Sequence, residues 1–224
     1  MKKILLVVVI IIFITLLLPL AIVWLIGGSG EGQSPIESGT VSVYVSEEDC
    51  VKDMDINEYL KCVVAAEMPA DFEEEALKAQ AVAARTYLYS HIAEKDKGNI
   101  AESHNGAAIC TDSTHCQAYI SEDKRRESWG AGAEENWNKI STAVDETTGQ
   151  IMTYNDEIIS AVFHSTSSGI TESAVDVWGA DVPYLQSVAS TGDEESPKYH
   201  SELTLSEQEF KNIAEEKIDG VDWN

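Results

Sequence analysis

Glu67 stands alone among small and apolar neighbours in the run Ala65-Ala66-Glu67-Met68-Pro69, where a proline must end a helix. A carboxylate there meets the negative end of the helix dipole, and its neighbours withdraw water. Both effects favour a carboxyl group that keeps its proton. Such a group suits general acid catalysis of glycosidic cleavage. The bland alternative has weight, because the sequence holds 39 Asp and Glu and a random one is seldom catalytic.

His104, Cys110, His115 and Cys116 form a second group. Two imidazoles and two thiolates match the donor preference of tetrahedral zinc, and four protein donors leave no open position, so such a site would be structural. The spacing is not that of a zinc finger. A Cys110 to Cys116 disulfide with two surface histidines competes with it. A third group is His164 with Ser165, Thr166, Ser167 and Ser168. There is no Gly-x-Ser-x-Gly elbow to support a serine hydrolase. Hydroxyls and an imidazole suit hydrogen bonding to a sugar, and a polar turn capping itself is the alternative. Arg85 lies among alanines in a chain poor in cations; it is paired with a buried carboxylate or aimed at substrate. Tyr87, on the same helix, is a core aromatic or a ligand contact. No His-Glu-x-x-His is present to support a metallopeptidase.

These residues need elements to hold them. Thr40 to Val45 alternates with β-branched residues and predicts a first strand. Asp55-Ile56-Asn57-Glu58 is a capping box that opens a helix toward Ala66 or Glu67, with Tyr59, Leu60, Val63 and Val64 turned inward. Asp71-Phe72-Glu73-Glu74 repeats the signature and opens an Ala-rich helix to about Ala93. Gly98 to Trp129 lacks long apolar runs and reads as a loop-rich excursion that needs another source of order. A helix over Glu134 to Val144 follows, with Gly149 as terminator. Gln150 to Tyr154 and Ile158 to Phe163 then flank Asn155-Asp156-Glu157 as a hairpin, though not the tightest kind. Ser206-Glu207-Gln208-Glu209 caps a last short helix. Trp223, one residue from the final position, suggests a domain cut short at its carboxy end, with an exposed or partly packed tryptophan at a natural end as the alternative.

Ile4 to Ile26 is apolar apart from Thr15 and long enough to cross a hydrocarbon core of roughly 30 Å. Lys2 and Lys3 precede it, which predicts a cytoplasmic tail over residues 1–3 and an anchor over residues 4–26. A cleaved signal peptide is the alternative. Residues 27–39 read as a flexible linker, and residues 40–224 as the extracytoplasmic domain. The fold class expected is α+β, a helical catalytic segment packed with antiparallel strands after an N-terminal transmembrane helix. A formal net charge of -24 excludes nucleic acid and anionic lipid surfaces as partners. The four cysteines, Cys50, Cys62, Cys110 and Cys116, are too few to define a disulfide scaffold.

Glu67-Met68-Pro69-Ala70-Asp71-Phe72, continued by Glu75 through Tyr87, closely resembles the stage II sporulation protein D family of peptidoglycan lytic transglycosylases. Cys116-Gln117-Ala118-Tyr119 and the block from Phe163 to Trp178 are also similar to it. The likeness runs from about Val41 to Ile218. It implies a single-pass protein of the mother-cell membrane whose catalytic domain faces the septal wall in the intermembrane space. It implies cleavage of peptide-stripped glycan strands between N-acetylmuramic acid and N-acetylglucosamine, leaving 1,6-anhydro muramic ends, for septal wall remodelling and engulfment. Stage II sporulation protein P, an amidase, and stage II sporulation protein M are the implied protein partners. The resemblance implies that the catalytic glutamate falls on Glu67 and that zinc can be carried by His104, Cys110, His115 and Cys116; the reading of the residues themselves makes Arg85, Tyr87, His164, Ser165 and Ser167 the candidate substrate contacts and the zinc structural. A non-catalytic glycan-binding scaffold of the engulfment complex is the competing function. Two departures are visible: the family's Gly-Gly is Ser168-Gly169, and its Glu-Asn-Ser is Glu172-Ser173-Ala174. Members of the family also continue beyond this length.

Overall fold

A computed structural model describes residues 39–196 and 199–217. They fall into two compact units, divided between Val162 and Phe163.

In the first unit, strand β1 (Thr40–Val45) alternates as its sequence requires, with Val41, Val43 and Val45 buried. Strand β2 (Cys50–Asp55) pairs with it antiparallel, Thr40 opposite Asp55 and Val45 opposite Cys50. Helix α1 (Ile56–Glu67) begins where the capping box places it: Asp55 Oδ1 accepts from the amides of Asn57 and Glu58, at 2.9 and 3.1 Å. Helix α2 (Glu74–Asp96) starts later than its signature predicts. Its N-cap is Glu73, without a side-chain cap, so Asp71 plays no capping part. Leu77, Ala81, Ala84, Arg85 and Leu88 form the buried stripe of α2, at the spacing of one helical face.

Strand β3 (Ile109–Cys110) joins β1 on its other side, Val43 opposite Ile109 and Tyr44 opposite Cys110. This pairing is parallel, which corrects the expectation of antiparallel strands. The chain reaches β3 only after α1 and α2, and a parallel neighbour needs such a long crossover. The fold is α+β, with a mixed sheet in the order β2-β1-β3. Helices α3 (Glu122–Trp129) and α4 (Ala133–Glu146) follow, and α4 packs on both α1 and α2. Tyr59, Leu60, Val63, Val64, Leu77, Ile140 and Val144 form the centre of the core. Strands β4 (Thr153–Tyr154) and β5 (Glu157–Ile158) are shorter than expected, and their turn is tighter. Asn155 and Asp156 both take left-handed φ, 51° and 65°, the two-residue hairpin that their short polar side chains tolerate.

In the second unit, helix α5 (Ala174–Trp178) is capped by Ser173, and helix α6 (Glu207–Lys217) by a box in which Ser206 and Glu209 bond each other.

Among the described residues no helix is long and apolar enough to cross a membrane. The longest, α2, has 23 residues but carries Glu74, Glu75, Lys78, Arg85, Glu94, Lys95 and Asp96. The anchor expected over Ile4 to Ile26 lies outside the described residues, as do most of the linker and Trp223. The transmembrane helix, the single-pass topology and the placement in an intermembrane space therefore have no described element behind them, and they are withdrawn.

Candidate functional site

The excursion after α2 brings four donors together. A single 3-10 turn, Glu102–His104, ends at Asn105 with φ 49°, and points the His104 ring inward. Cys110 is placed by β3. Asp112 then folds the chain back: its Oδ1 accepts from the amide and hydroxyl of Thr114, at 2.8 and 2.7 Å, and its carbonyl accepts from the amides of His115 and Cys116. The donor atoms of His104, Cys110, His115 and Cys116 consequently lie within 4.8 Å of one another.

The separations fit a tetrahedron. His104 Nε2 lies 3.1 Å from His115 Nδ1 and 3.2 Å from Cys116 Sγ, while His115 Nδ1 lies 3.6 Å from Cys110 Sγ and 3.4 Å from Cys116 Sγ. Zinc bonds of ordinary length to nitrogen and sulfur would give edges of about 3.3–3.8 Å. All four cysteines are free thiols, so no Cys110 to Cys116 disulfide competes. Burial pushes the Cys116 thiol up to about 12 and lowers His104, whose neighbours His115 and His91 add to the effect. The protein by itself thus disfavours a thiolate, and a divalent cation supplies the charge that would favour one. Outside the donors, Ser103 Oγ lies 3.1 Å from His115 Nε2, and the Tyr87 hydroxyl hydrogen-bonds the Cys116 sulfur. Such outer contacts fix ring and sulfur orientation.

Glu67 is the last residue of α1 and is half-buried. Its Oε1 accepts from the backbone amide of Ala118 at 2.7 Å. Ala118 is two residues beyond Cys116, so carboxyl group and donor cluster meet on one short stretch of chain.

The SpoIID family model, described as Stage II sporulation protein, matches residues 44–154. The chain belongs to that family. It is 38% identical over 194 residues to stage II sporulation protein D of Bacillus subtilis (strain 168), covering 86% of this chain and 55% of that protein. It is also 38% identical over 190 residues to the protein of the same name in Bacillus amyloliquefaciens, 85% and 53% of the two chains. An amidase enhancer of Bacillus subtilis is 36% identical over 151 residues, 67% of this chain and 17% of that protein. The chain spans about half the length of the stage II sporulation proteins D that it matches.

Glu67, Arg85, Tyr87 and the four donors lie within the SpoIID match; His164, Ser165 and Ser167 lie beyond it, in the second unit. Arg85 is 1% exposed and faces the core. Its guanidinium donates to the carbonyls of Thr147 and Val144, at 2.6 and 2.9 Å, and to Asn57 Oδ1 at 3.3 Å. Neither sequence alternative describes this, for it caps the C-terminal end of α4, where the dipole favours a cation. Tyr87 packs half-buried against His91 and Cys116. His164 and Ser165 are exposed. The Ser167 hydroxyl donates to Asp193 Oδ2, which also accepts from the Ser167 amide at 3.0 Å, and these bonds hold the Asp193 carboxyl below its usual range.

Sequence reasoning missed the Ala118 amide, because a backbone group leaves no side-chain signal. It also missed Ser103, and Asp112, whose spacing to Thr114 is a readable turn signature. The partner expectation is corrected with the membrane span: attachment through an N-terminal helix has no described helix behind it. The two sporulation proteins expected as partners rest on the resemblance alone and are not carried further.

Proposed function

We propose that this chain is a lytic transglycosylase of peptidoglycan glycan strands without stem peptides, acting in wall remodelling during sporulation. Membership of the SpoIID family links it to that process. The single observation that carries the chemistry is the Glu67 carboxyl group, half-buried at a helix end with one oxygen tied to the Ala118 amide. With Oε1 engaged as an acceptor, a transferable proton belongs on Oε2. Glu67 gives this proton to the glycosidic oxygen, so the bond to the muramoyl anomeric carbon breaks and the N-acetylglucosamine leaves with a hydroxyl. The Glu67 carboxylate then takes the proton of the muramoyl C6 hydroxyl as that oxygen attacks its own anomeric carbon. A 1,6-anhydro end forms and the acid is regenerated. The nucleophile is tethered to the electrophile, so no second carboxylate is required.

His104, Cys110, His115 and Cys116 would hold a structural zinc ion, which supplies fixed geometry and no open position for chemistry. His164, Ser165 and Ser167 are proposed sugar contacts, Ser167 through a hydroxyl already oriented by Asp193. Arg85, through its cap on α4, and Tyr87, through Cys116, would serve the site indirectly rather than by touching substrate.

Glu67→Gln keeps shape and removes the proton. It is expected to lower release of anhydro ends from denuded strands by roughly 10²–10⁴-fold. Undiminished release, read by mass analysis of the ends, would take Glu67 out of the mechanism.

A second reading, a glycan-binding scaffold without cleavage, is favoured by one observation. A groove of about 740 Å³, lined by Ser46, Lys52, Thr111, Ser113, Tyr119 and Lys124 among others, does not include Glu67. Such a groove, whose own acids are Glu47, Glu48 and Asp112, can hold sugar without access to Glu67. Tight binding of denuded strands by the full chain, with no new ends after long incubation, selects this reading.

A further inference from the structure

Three residues connect the donor cluster to the carboxyl group. Cys116 brings its sulfur to His104 and His115, and its amide is fixed on the Asp112 carbonyl at 2.7 Å. Ala118 donates to Glu67 Oε1 at 2.7 Å. Gln117 between them is 3% exposed, and its side-chain amide makes no hydrogen bond among the described residues, so packing alone holds it. Beyond Ala118 the next backbone tie is long, 3.4 Å from the Ile120 amide to the Cys62 carbonyl. Tyr119 stacks on Tyr59 with ring centroids 5.8 Å apart, so the Ala118 N–H is held between that ring on one side and Cys116 with its Asp112 tie on the other.

On the other side of the bond, little else orients Glu67. The chain leaves α1 directly after it, with Met68 extended at φ -133° and ψ 134°, and among the described residues the Ala118 amide is the hydrogen-bond partner of its carboxyl group. The terminal torsion of a glutamate is broad and roughly two-fold. Without a fixed donor its two oxygens exchange places, and the proton faces the glycosidic oxygen for only part of the time.

We infer that Cys116–Ala118 is a strap through which the donor cluster sets the orientation of the Glu67 carboxyl group, with the Ala118 amide as its positioning group. The inference rests on Glu67 being the acid and base of the proposed cleavage, but its first consequence is structural. Order in the cluster is order at Ala118. Loss of the metal releases the amide, and the released carboxyl group reacts less often from a correct orientation, which lowers turnover rather than substrate affinity.

The test follows amide hydrogen exchange at Ala118, residue by residue, in the full chain with zinc, after chelation, and after zinc is restored. Chelation is expected to speed exchange at Ala118 by about tenfold or more, with reversal on adding zinc, while Leu60 to Ala65 in α1 change by less than roughly twofold. His104→Ala, which removes a donor distant in sequence from the strap, should show the fast Ala118 amide without reversal. An Ala118 amide that stays slow in folded, metal-free protein overturns the inference. For a protein that folds poorly without His104, Ser103→Ala keeps all four donors and loses only the outer contact to His115. Exchange at Ala118 must then track zinc occupancy through a titration, and independence from occupancy overturns the inference equally.

Ala118→Pro deletes the N–H itself. Its zinc content should equal that of the parent while kcat falls about tenfold or more and KM holds. Unchanged kcat with full zinc would show that the amide does not position Glu67. Failure of the cleavage reading is a different result: Glu67→Gln would keep its activity, whatever the exchange at Ala118 showed.

Discussion

Helices α1, α2 and α4 bury Leu60, Val63, Val64, Leu77, Ile140 and Val144 completely, whereas the stretch from Gly98 to Tyr119 buries His104, Ala107, Ala108, Cys110 and Gln117, with Ile109 as its large apolar member. The first region is held by apolar area spread over many side chains, each fully buried aliphatic contributing roughly 1.5–3 kcal/mol. The second has little apolar area and is held by the short β3 ladder on β1 and the Asp112 turn, and its four donor atoms would add order through a bound metal. Spread stabilisation degrades gradually under substitution, while concentrated stabilisation fails all at once. The carboxyl group sits where the two meet, on the last residue of a spread-out helix and bonded to the strap of the concentrated loop.

Removing the metal should separate the regions most. Protein purified without added zinc is expected to carry about one ion per chain. Structural zinc contributes on the order of 10 kcal/mol to folding in small peptides, and its loss here should fall on residues 98–121. After chelation, limited proteolysis should cut within that stretch while the helical circular dichroism of α1, α2 and α4 persists. Full protection of residues 98–121 without metal would break the comparison, because the ladder and the turn would then hold the loop by themselves.

Arg85→Met attacks the other region. The methionine keeps a flexible apolar stem in the core, but the carbonyls of Val144 and Thr147 lose their charged donor at 2.9 and 2.6 Å. Each carbonyl keeps a second donor, Thr147 Oγ1 on Val144 at 3.1 Å and the Gln150 amide on Thr147 at 3.0 Å, so what is lost is the charge-assisted bonding, and a loss of about 1.5–3 kcal/mol is expected in urea unfolding. Zinc content should stay at parent level in the folded fraction. A variant as stable as its parent would mean that the cap on α4 is dispensable; one that lost zinc first would mean that the two regions are not separable.

The same division decides what could be read from the sequence. The spread-out region announces itself: Asp55 with Glu58, the Tyr59-Leu60 and Val63-Val64 pairs, and Pro69 define α1 to within one residue at its end, because caps and periodicity are local properties. Strand β2 escaped because an edge strand need not alternate; Cys50 to Asp55 is charged and largely exposed, as edges are when they resist pairing with other chains. Strand β3 escaped because two residues carry no period, and its parallel partner lies 66 positions earlier, as Val43 does from Ile109. Donor types were legible at His104, Cys110, His115 and Cys116, yet their convergence depends on the Asp112 turn and on β3. Arg85 was legible as unusual but not as a helix cap, since its partners are carbonyls some 60 residues away.

Ser168→Gly carries the comparison into the second unit and predicts the smallest effect. The family pattern has two glycines here, and a serine at the first suggests lost backbone freedom. In the structure only the second position uses that freedom: Gly169 has φ 96°, whereas Ser168 is not among the residues with positive φ. The conformation at Ser168 is one any residue adopts, so restoring glycine relieves no strain and adds entropy to the unfolded chain. A destabilisation of up to about 0.5–1 kcal/mol is expected, with unchanged binding to denuded strands. A gain in stability from Ser168→Gly would show that the turn from His164 to Gly169 is held under strain in this chain, and would place the second unit with the concentrated region, whose order rests on a few specific contacts such as Ser167 on Asp193.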